Sequence, residues 1–317
     1  MCGICGIKLP EPGPIGQNLV DMCQAMRHRG YDSTGFALYG APVEGQLILR
    51  LRVVEAEHSH AALDALEGSL RERGVTVAAE HETDLAKDAP DRFVRAVVNA
   101  GVDQVRDIVR AVDDTGHGIE VQSIGRSLEI IKDLGDAHTV NERHRVDRFI
   151  GSHGLGHVRL TTESIVDVAY GHPFWAEPFP DISIVHNGQI TNYFRFRRLL
   201  TQDGYRFHTS NDSELIAVYL ADRMLHGETL WDALKTSVDE LDGCFAYLFA
   251  TEDEMGSAKD PLAIKSLVAA QVDGVMAIAT EEQALRQVFS SELDVDLPEP
   301  RSIYVWDKDG GVTTEIV

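Results

Sequence analysis

The amino-acid sequence predicts an α+β fold in which layers of β-sheet are covered by helices. Strand-type apolar runs occur at the start of the chain, as in CGICGIKL, and again in its second half, as in DISIVHNG and GCFAYLFA. Two helix-type stretches, TNYFRFRRLLTQDG and DSELIAVYLADRML, lie between the later strands, and each has one apolar side. Strands that precede and follow paired helices indicate sheets packed between helical layers.

The N-terminal part alternates strand and helix signals. A first strand is predicted over Cys2–Leu9, where the Pro/Gly-rich EPGPIG should break it. A helix is predicted over Gln17–Arg27 because its apolar residues share one side, and it leads into RHRGYDSTG at residues 27–35. FALYG and VEGQLILRLRVVEA follow as predicted strands.

The middle of the chain, at about residues 58–148, has a helical pattern and many charges. HAALDALEGSLRERG, DRFVRAVVNAGVDQVRDIVRAVDDTG and GRSLEIIKDLG have apolar residues at three- and four-residue spacing, which is typical of amphipathic helices. Strand signals return with IGSHGLGHVRL and continue through GVMAIATEE and SIYVWDKDG. We therefore expect one domain over residues 2–317 with a helical insertion at about 58–148.

Composition and charge exclude several classes of protein. Apolar residues make up 44% of the 317 residues, but no stretch approaches the roughly 18 consecutive apolar residues of a membrane span. The first residues lack the basic and apolar regions of a signal peptide, so we expect a cytoplasmic protein with no membrane partner. The 51 acidic residues outnumber the 29 basic ones, and a net charge of −22 argues against a nucleic-acid partner.

The second residue, Cys2, is the first candidate for chemistry. It follows the initiator Met1 and precedes a glycine, so we expect removal of the methionine to leave an N-terminal cysteine. Such a residue combines a thiolate nucleophile with an α-amino group whose pKa of about 7.7–8.0 suits a base. Cys2 and Cys5 also form a Cys-x-x-Cys pair, which could be a redox pair, a metal pair or two core thiols. With no second such pair, the sequence predicts no metal site.

Three later motifs contain the groups that amide attack by an N-terminal thiol would require. Asn187 and Gly188, at a strand end, could donate hydrogen bonds to an oxyanion, although Asn-Gly is also a common turn. Arg159 offers a forked cation for a carboxylate, with the Thr162 hydroxyl nearby, although a structural arginine is the alternative. Asp212 could bind an ammonium group, and SNDSE could equally cap a helix.

The motifs taken together resemble the class II glutamine amidotransferases, which have the N-terminal-nucleophile hydrolase fold. The matching stretches, in order, are MCGICG, RHRGYDSTG, GHVRLTT, GHPF, VHNGQI, TSNDSE, DGCFAYLFAT, DPLAIKSL and AIATEEQAL. The resemblance implies a four-layer αββα sandwich. It also implies that Cys2 is the nucleophile and that Asn187 and Gly188 are the oxyanion donors. Arg159 and Thr162 would bind the glutamine carboxylate, and Asp212 would bind the α-ammonium group. Arg29 and Gly30, with Tyr31, would form a loop beside the nucleophile.

One further residue matches the family, and two positions depart from its pattern. His172 in GHPF matches a family histidine, for which both a buried structural role and a catalytic role are open. Leu160 stands where the sugar-phosphate-linked members often have tryptophan, and Ser266 stands where proline is common. Neither departure removes an essential group.

A narrower resemblance indicates a partner subunit. GRSLEIIKDLG, SHGLGHVRLTTES, NDSELIAVYLADRM and SIYVWDKDG are most similar to the glutamate-synthase-like branch, which includes N-methylglutamate synthase subunits. That similarity implies that ammonia from glutamine passes to a separate flavin-containing synthase subunit in a hetero-oligomer. It allows FMN and an iron–sulfur cluster in the partner and implies no cofactor in this chain. The sequence contains no P-loop or dinucleotide fingerprint with which to use the ammonia itself.

Two functions from other classes remain open from the sequence. The chain could be an N-terminal-nucleophile amidohydrolase that acts on a different amide, and competition between glutamine and acylated amines would separate the two. It could also be a catalytically idle subunit that senses glutamine, and labelling by a glutamine-like electrophile would decide. The candidate pair Arg159 and Asp212 favours a free amino acid as the ligand.

Overall fold

The structure is a computed structural model that describes residues 2–54, 59–83, 90–116, 118–161, 166–289, 293–308 and 310–317. Its α-helices are α1 (Ile15–Ala25), α2 (Ser59–Glu72), α3 (Val105–Asp114), α4 (Ala137–His144), α5 (Tyr193–Gln202), α6 (Asp212–Leu225), α7 (Leu230–Glu240) and α8 (Glu282–Leu285). Its strands are β1 (Gly3–Gly13), β2 (Ser33–Tyr39), β3 (Gln46–Val54), β4 (Thr76–Glu82), β5 (Asp91–Asn99), β6 (Ile119–Gly125), β7 (Leu128–Leu134), β8 (Gly151–Arg159), β9 (Phe174–Trp175), β10 (Ser183–Ile190), β11 (Gly243–Ala250), β12 (Met255–Lys259), β13 (Val268–Val272), β14 (Val275–Ala279), β15 (Ser302–Trp306) and β16 (Val312–Ile316).

Two six-stranded sheets form the centre of the molecule. Their strand orders are β13-β14-β1-β8-β2-β7 and β16-β15-β12-β11-β10-β9, and neighbouring strands are antiparallel. Apolar side chains of both sheets, such as Ile4 and Leu248, are buried in one core between them. Helix α1 packs on the outer face of the first sheet, and α6 and α7 pack on the second. The predicted four-layer αββα sandwich is confirmed.

Close packing of α1 on the first sheet depends on a glycine. A Cβ on Gly156 in β8 would lie 2.6 Å from the Cys23 Sγ and 2.8 Å from the Cys5 Sγ. The two sulfur atoms are 3.6 Å apart, and both cysteines are free and fully buried. Cys5 is therefore a core residue beneath α1 that contacts Cys23, which leaves Cys2 without a redox partner at the Cys-x-x-Cys spacing.

The helical prediction for the middle segment is wrong in part. Helices α2 and α3 form as predicted, but DRFVRAVVN is strand β5 and LEIIKDL is strand β7. Strand β5 lies in a four-stranded sheet of order β4-β5-β3-β6, whereas β7 pairs with β2 at the edge of the first large sheet. Short runs rich in valine and isoleucine fit both periodicities, and pairing with a neighbouring strand decided between them.

The first strand is longer than the sequence predicts. Strand β1 continues through the prolines to Gly13, with a shift in its pairing with β8 between Lys8 and Gly13. Pro10 and Pro12 fall within this irregular part, where an absent N–H costs no ladder bond. Across the described ranges, no helix has both the length and the apolar character needed to cross a membrane.

Candidate active site

The first residue of the described chain is surrounded by strand ends from both sheets. Strand β1 begins at Gly3, which pairs with Val158 near the end of β8, and Cys5 pairs with Ala279 at the end of β14. Continued past Gly3, this register brings Cys2 next to Arg159, while Thr280 lies opposite Ile4 and donates its N–H to the Ile4 carbonyl oxygen at 2.9 Å. Antiparallel pairing thus gathers residues that are far apart in the sequence at one rim of the sandwich.

Cys2 is held by its backbone and leaves its thiol on the partly exposed side. Its carbonyl oxygen accepts hydrogen bonds from the Arg29 Nε at 3.0 Å and from the Asn187 Nδ2 at 3.2 Å. The Sγ donates a long contact of 3.8 Å to the Leu160 carbonyl oxygen, and the cysteine is free. Two side chains from distant parts of the sequence therefore fix the position from which the thiol can react.

Asn187 lies between the N-terminal strand and the end of β14. Its Nδ2 donates to the Thr280 Oγ1 at 3.3 Å as well as to Cys2, and the Thr280 hydroxyl accepts from the Ile4 N–H at 2.9 Å. The Asn187 Oδ1 is buried and has no hydrogen-bond partner among the residues that the structure describes. Both Nδ2 contacts are long for hydrogen bonds, so a stronger acceptor, such as an oxyanion, could replace one of them at small cost.

Gly188 is required by its conformation and by its surroundings. Its φ of +134° lies in the region that favours glycine, and a Cβ there would lie 2.0 Å from the Cys244 carbonyl oxygen. Asn187 and Gly188 belong to strand β10, which continues to Ile190 and pairs with β11. The Asn-Gly pair is therefore not a hairpin turn here.

The loop of Arg29 and Gly30 lies beside Cys2, as the sequence predicts. Arg29 forms an ion pair with Glu281 in addition to its bond with Cys2. A Cβ on Gly30 would lie 2.3 Å from the Arg159 carbonyl carbon, so the loop touches the strand end directly. The Asp32 N–H donates to the Arg159 carbonyl oxygen at 3.0 Å. Glycine is thus what permits the close approach of this loop to β8.

Arg159 is the last residue of β8, and its side chain is largely buried. Burial lowers the pKa of the guanidinium, while Cys2, Asp32 and Asp167 act in the opposite direction. A cation in this position next to the thiol can attract a carboxylate ligand and favour the thiolate. Thr162, the second predicted carboxylate ligand, lies outside the described residues.

Asp212 is the first residue of α6 and faces the end of β10. Its Oδ2 accepts from the Ile190 N–H at 3.0 Å, and its Oδ1 lies 3.5 Å from the His186 Nδ1. Burial raises the pKa of the carboxyl, but the nearby His186 and the hydrogen bonds outweigh it, so the pKa lies below its usual value. The helix is capped by Asn211, whose Oδ1 accepts from the Ser213 N–H at 2.9 Å. Asp212 is therefore an ionised carboxylate, and the N-cap of α6 is made by Asn211 and not by Asp212.

His172 lies in a buried polar cluster. Its Nε2 is 2.7 Å from the Ser213 Oγ, and its ring stacks on His157 with centroids 4.2 Å apart. Burial first, and then nearby positive groups, hold the pKa of His172 well below its ordinary value. Of the two roles left open by the sequence, this environment favours the structural one.

The site contains polar residues that sequence reasoning did not single out. Thr280 and Glu281 contact Asn187 and Arg29, respectively, and Ser213 lies beside Asp212. All three lie in stretches that match the family, AIATEEQAL and TSNDSE. The sequence therefore contained the motifs, but it could not show which of their residues come into contact. Within the described ranges, no group of three or more His, Cys, Asp or Glu side chains could hold a metal ion.

Comparison with known proteins agrees with this architecture. The glutamine phosphoribosylpyrophosphate amidotransferase of B. subtilis superposes with a TM-score of 0.63 at 19% identity, covering 99% of this chain and 49% of that one. At this identity the similarity concerns the fold, which is that of the N-terminal-nucleophile hydrolases. A family model described as a glutamine amidotransferase domain matches residues 157–287.

Two relatives match along nearly their whole length. A putative glutamine amidotransferase of Methanothermobacter thermautotrophicus is 33% identical over 313 residues, covering 97% of this chain and all of the relative. The glutamine amidotransferase-like protein GlxB of Rhizobium meliloti is 35% identical over 312 residues, covering 97% of this chain and 98% of the relative. This chain belongs to the glutamine amidotransferase family.

Proposed function

We propose that this chain is the glutaminase component of a class II amidotransferase, in which Cys2 is the nucleophile after removal of Met1. The observation that carries the proposal is the convergence of Arg29 and Asn187 on the carbonyl oxygen of Cys2. A structural cysteine would not need its backbone fixed by side chains from two distant segments, the Arg29 loop and strand β10, while its thiol stays at a partly exposed rim. The electrostatic interaction between Arg159 and Cys2 supports the same role.

The reaction would proceed through a thioester. The Cys2 thiol loses its proton to its own α-amino group through a water molecule, and the thiolate attacks the side-chain amide carbon of glutamine. Asn187 Nδ2 and the Gly188 N–H would stabilise the oxyanion. The C–N bond then breaks, and ammonia leaves with the proton from the α-amino group. Water attacks the γ-glutamyl thioester, glutamate is released, and the thiol is regenerated.

The two ends of the amino-acid substrate would be held by opposite charges. Arg159, with Thr162, would bind the α-carboxylate, and the ionised Asp212 would bind the α-ammonium group. The low pKa of Asp212 supports this assignment because its carboxylate keeps its charge at neutral pH. Fixing both groups would hold the amide in line with the thiol. An amide without these groups, the alternative substrate class, would make neither of these two contacts.

We further propose that the ammonia passes to a separate synthase subunit of the glutamate or N-methylglutamate synthase type, in the cytoplasm. Free ammonia protonates in bulk water, so a partner that covers the rim is required. Exposed apolar side chains support such a surface: Tyr31 is 60% exposed beside the Gly30 loop, and Phe194 is 81% exposed just after β10. Leu262 and Ile264, in the segment after β12, are also exposed. This segment lies near Gly188, because the carboxylate of its Asp260 accepts from the N–H of Phe245, which pairs with Gly188.

Covalent labelling tests the proposed nucleophile directly. The chain is treated with 6-diazo-5-oxo-L-norleucine, an electrophilic glutamine analogue, and digested for peptide mass spectrometry. We expect one label, on an N-terminal Cys2, with protection by glutamine. A label on the partly exposed Cys244, or labelling that glutamine does not slow, would contradict the proposal. For the partner, co-purification followed by an absorbance spectrum is the test, and a colourless partner would count against a flavin-containing synthase.

A further inference from the structure

A buried chain of polar side chains runs from the predicted ammonium ligand into the second sheet. It starts at Asp212, whose Oδ1 lies 3.5 Å from the His186 Nδ1. The same Nδ1 lies 2.9 Å from the Ser213 Oγ, and that oxygen lies 2.7 Å from the His172 Nε2. His186, Ser213 and His172 are each less than 10% exposed, so water does not compete for these contacts.

The direction of each hydrogen bond in this chain follows from Asp212. An ionised carboxylate only accepts, so the His186 Nδ1 that faces it carries the proton. That N–H is also directed at the nearby Ser213 Oγ, which accepts it. The single hydroxyl proton of Ser213 is then free to be donated to the Nε2 of His172. His172 must offer a lone pair there, which requires a neutral ring, and the depressed pKa of His172 agrees with this.

The position of His172 is itself fixed by stacking. Its ring lies parallel to that of His157, with an interplanar angle of 15° and a centroid distance of 4.2 Å, and contacts the Phe174 ring edge-on at 4.9 Å. A ring held on two sides gives the Ser213 hydroxyl one acceptor in one direction. The fixed hydroxyl in turn limits how the His186 ring can rotate.

We propose that His172, Ser213 and His186 are positioning residues that orient the Asp212 carboxylate toward the α-ammonium group of the substrate. The inference rests on the proposed function, because it assigns these residues a share of amino-acid specificity. In this proposal His172 contributes to substrate binding through Ser213, His186 and Asp212, and it does not donate a proton to the leaving ammonia. His186 directly precedes Asn187 in β10, so one strand would position both the ammonium ligand and the oxyanion donor.

Ser213→Ala is the most selective test because it removes only the hydroxyl. The N-cap of α6 uses the Ser213 N–H and stays intact in the alanine variant. Ser237→Ala is the matched control, since Ser237 is also a fully buried helical serine, with its hydroxyl bonded to the Leu234 carbonyl oxygen and paired with the Tyr247 hydroxyl. Asp212→Asn provides the reference for complete loss of the ammonium ligand's charge.

The readout is the ratio of kcat/KM for glutamine to kcat/KM for 4-carbamoylbutanoate, which lacks the α-amino group. Both values come from one preparation, so any fraction of unfolded protein cancels in the ratio. We expect Asp212→Asn to remove most of the preference for glutamine, and Ser213→Ala to lower it about two- to tenfold, mainly through KM for glutamine. Ser237→Ala and the wild type should share one ratio.

Two different results would contradict the positioning inference and the proposed role of Asp212, respectively. If Asp212→Asn loses the preference while Ser213→Ala keeps the wild-type ratio, the positioning inference is wrong and the proposed function stands. If the wild type shows no preference for glutamine, the proposed role of Asp212 fails first. As a second variant, His172→Gln should lower the ratio, as Ser213→Ala does. An unchanged ratio in His172→Gln would show that His172 does not position Asp212.

Discussion

The Asn187 Nδ2 lies 3.2 Å from the Cys2 carbonyl oxygen, although 185 residues separate the two in the sequence. This contact joins the second sheet to the start of the first, at the point where the Cys2 thiol is partly exposed. Under the proposed function Asn187 has two tasks: it fixes Cys2 in the free protein, and it stabilises the oxyanion during the reaction.

Removal of the Asn187 side-chain amide should therefore affect catalysis more than binding. We expect Asn187→Ala to lower kcat for glutamine hydrolysis about 10²- to 10³-fold, as loss of one oxyanion donor does in related chemistry, with a smaller change in KM. Steady-state release of glutamate measures both constants. Asn99→Ala, at an exposed position on the four-stranded sheet, is the matched control and should change neither. A KM effect without a kcat effect would assign Asn187 to substrate binding only.

Gly30 should be intolerant of any side chain. In Gly30→Ala the new Cβ would meet the Arg159 carbonyl carbon at 2.3 Å, so the loop or the strand end must move. We expect a loss of about 1–3 kcal/mol in the free energy of unfolding and a higher KM for glutamine, because Arg159 moves with its backbone. Chemical denaturation and steady-state kinetics measure the two effects.

A second glycine gives the control for that experiment. Gly68 lies within α2, and nothing lies within 4 Å of a Cβ built there. Gly68→Ala should raise the free energy of unfolding by about 0.5–1 kcal/mol, because alanine is the better helix former, without changing KM. If the two variants behaved alike, the close approach of Gly30 to Arg159 would not matter for binding.

The lowered pKa of Asp212 predicts a pH-dependent contribution to stability. The pKa of an aspartate in an unfolded chain is about 3.9, and in the folded protein that of Asp212 is lower. Its contribution is therefore present above pH of about 4 and is lost as the pH falls through the folded value. The difference in unfolding free energy between the wild type and Asp212→Asn should be constant from pH 5 to 8 and shrink below about pH 4.

The control for this measurement is Asp203→Asn, which removes an exposed carboxylate at the end of α5. It should leave the free energy of unfolding nearly unchanged at pH 7. If the Asp212→Asn difference grew as the pH fell below 4, the sign of the pKa shift would be wrong.

Local sequence patterns were sufficient for much of the fold. The apolar side of α6 and the apolar run that leads to Asn187 in β10 predicted a helix and a strand where the structure has them. The segments at β5 and β7 were mispredicted because their apolar residues fit a helix as well as a strand. Only pairing with β3 and β2, whose paired residues lie 37 or more positions earlier, selects the strand.

The sequence predicted the site residues that belong to recognisable motifs, but not the contacts that depend on strand pairing. Cys2, Asn187 and Arg29 were all named from the sequence, and the structure brings them into contact. The hydroxyl of Thr280 was not, because its contact with Ile4 spans 276 residues and depends on the pairing of β1 with β14. Ser213 was hidden for a different reason: a serine after a cap residue reads as part of a helix start, and its histidine partners lie on separate elements.

The central claim is that an N-terminal Cys2 attacks glutamine, and glutamate release by Cys2→Ala tests it most directly. Intact mass should first show that the wild-type protein lacks Met1, and Cys244→Ala is the control for loss of another partly exposed thiol. We expect Cys2→Ala to release glutamate at least about 10⁴-fold more slowly than the wild type while it unfolds at a similar temperature. Undiminished glutamate release by Cys2→Ala, or an active wild type that retains Met1, would contradict the account.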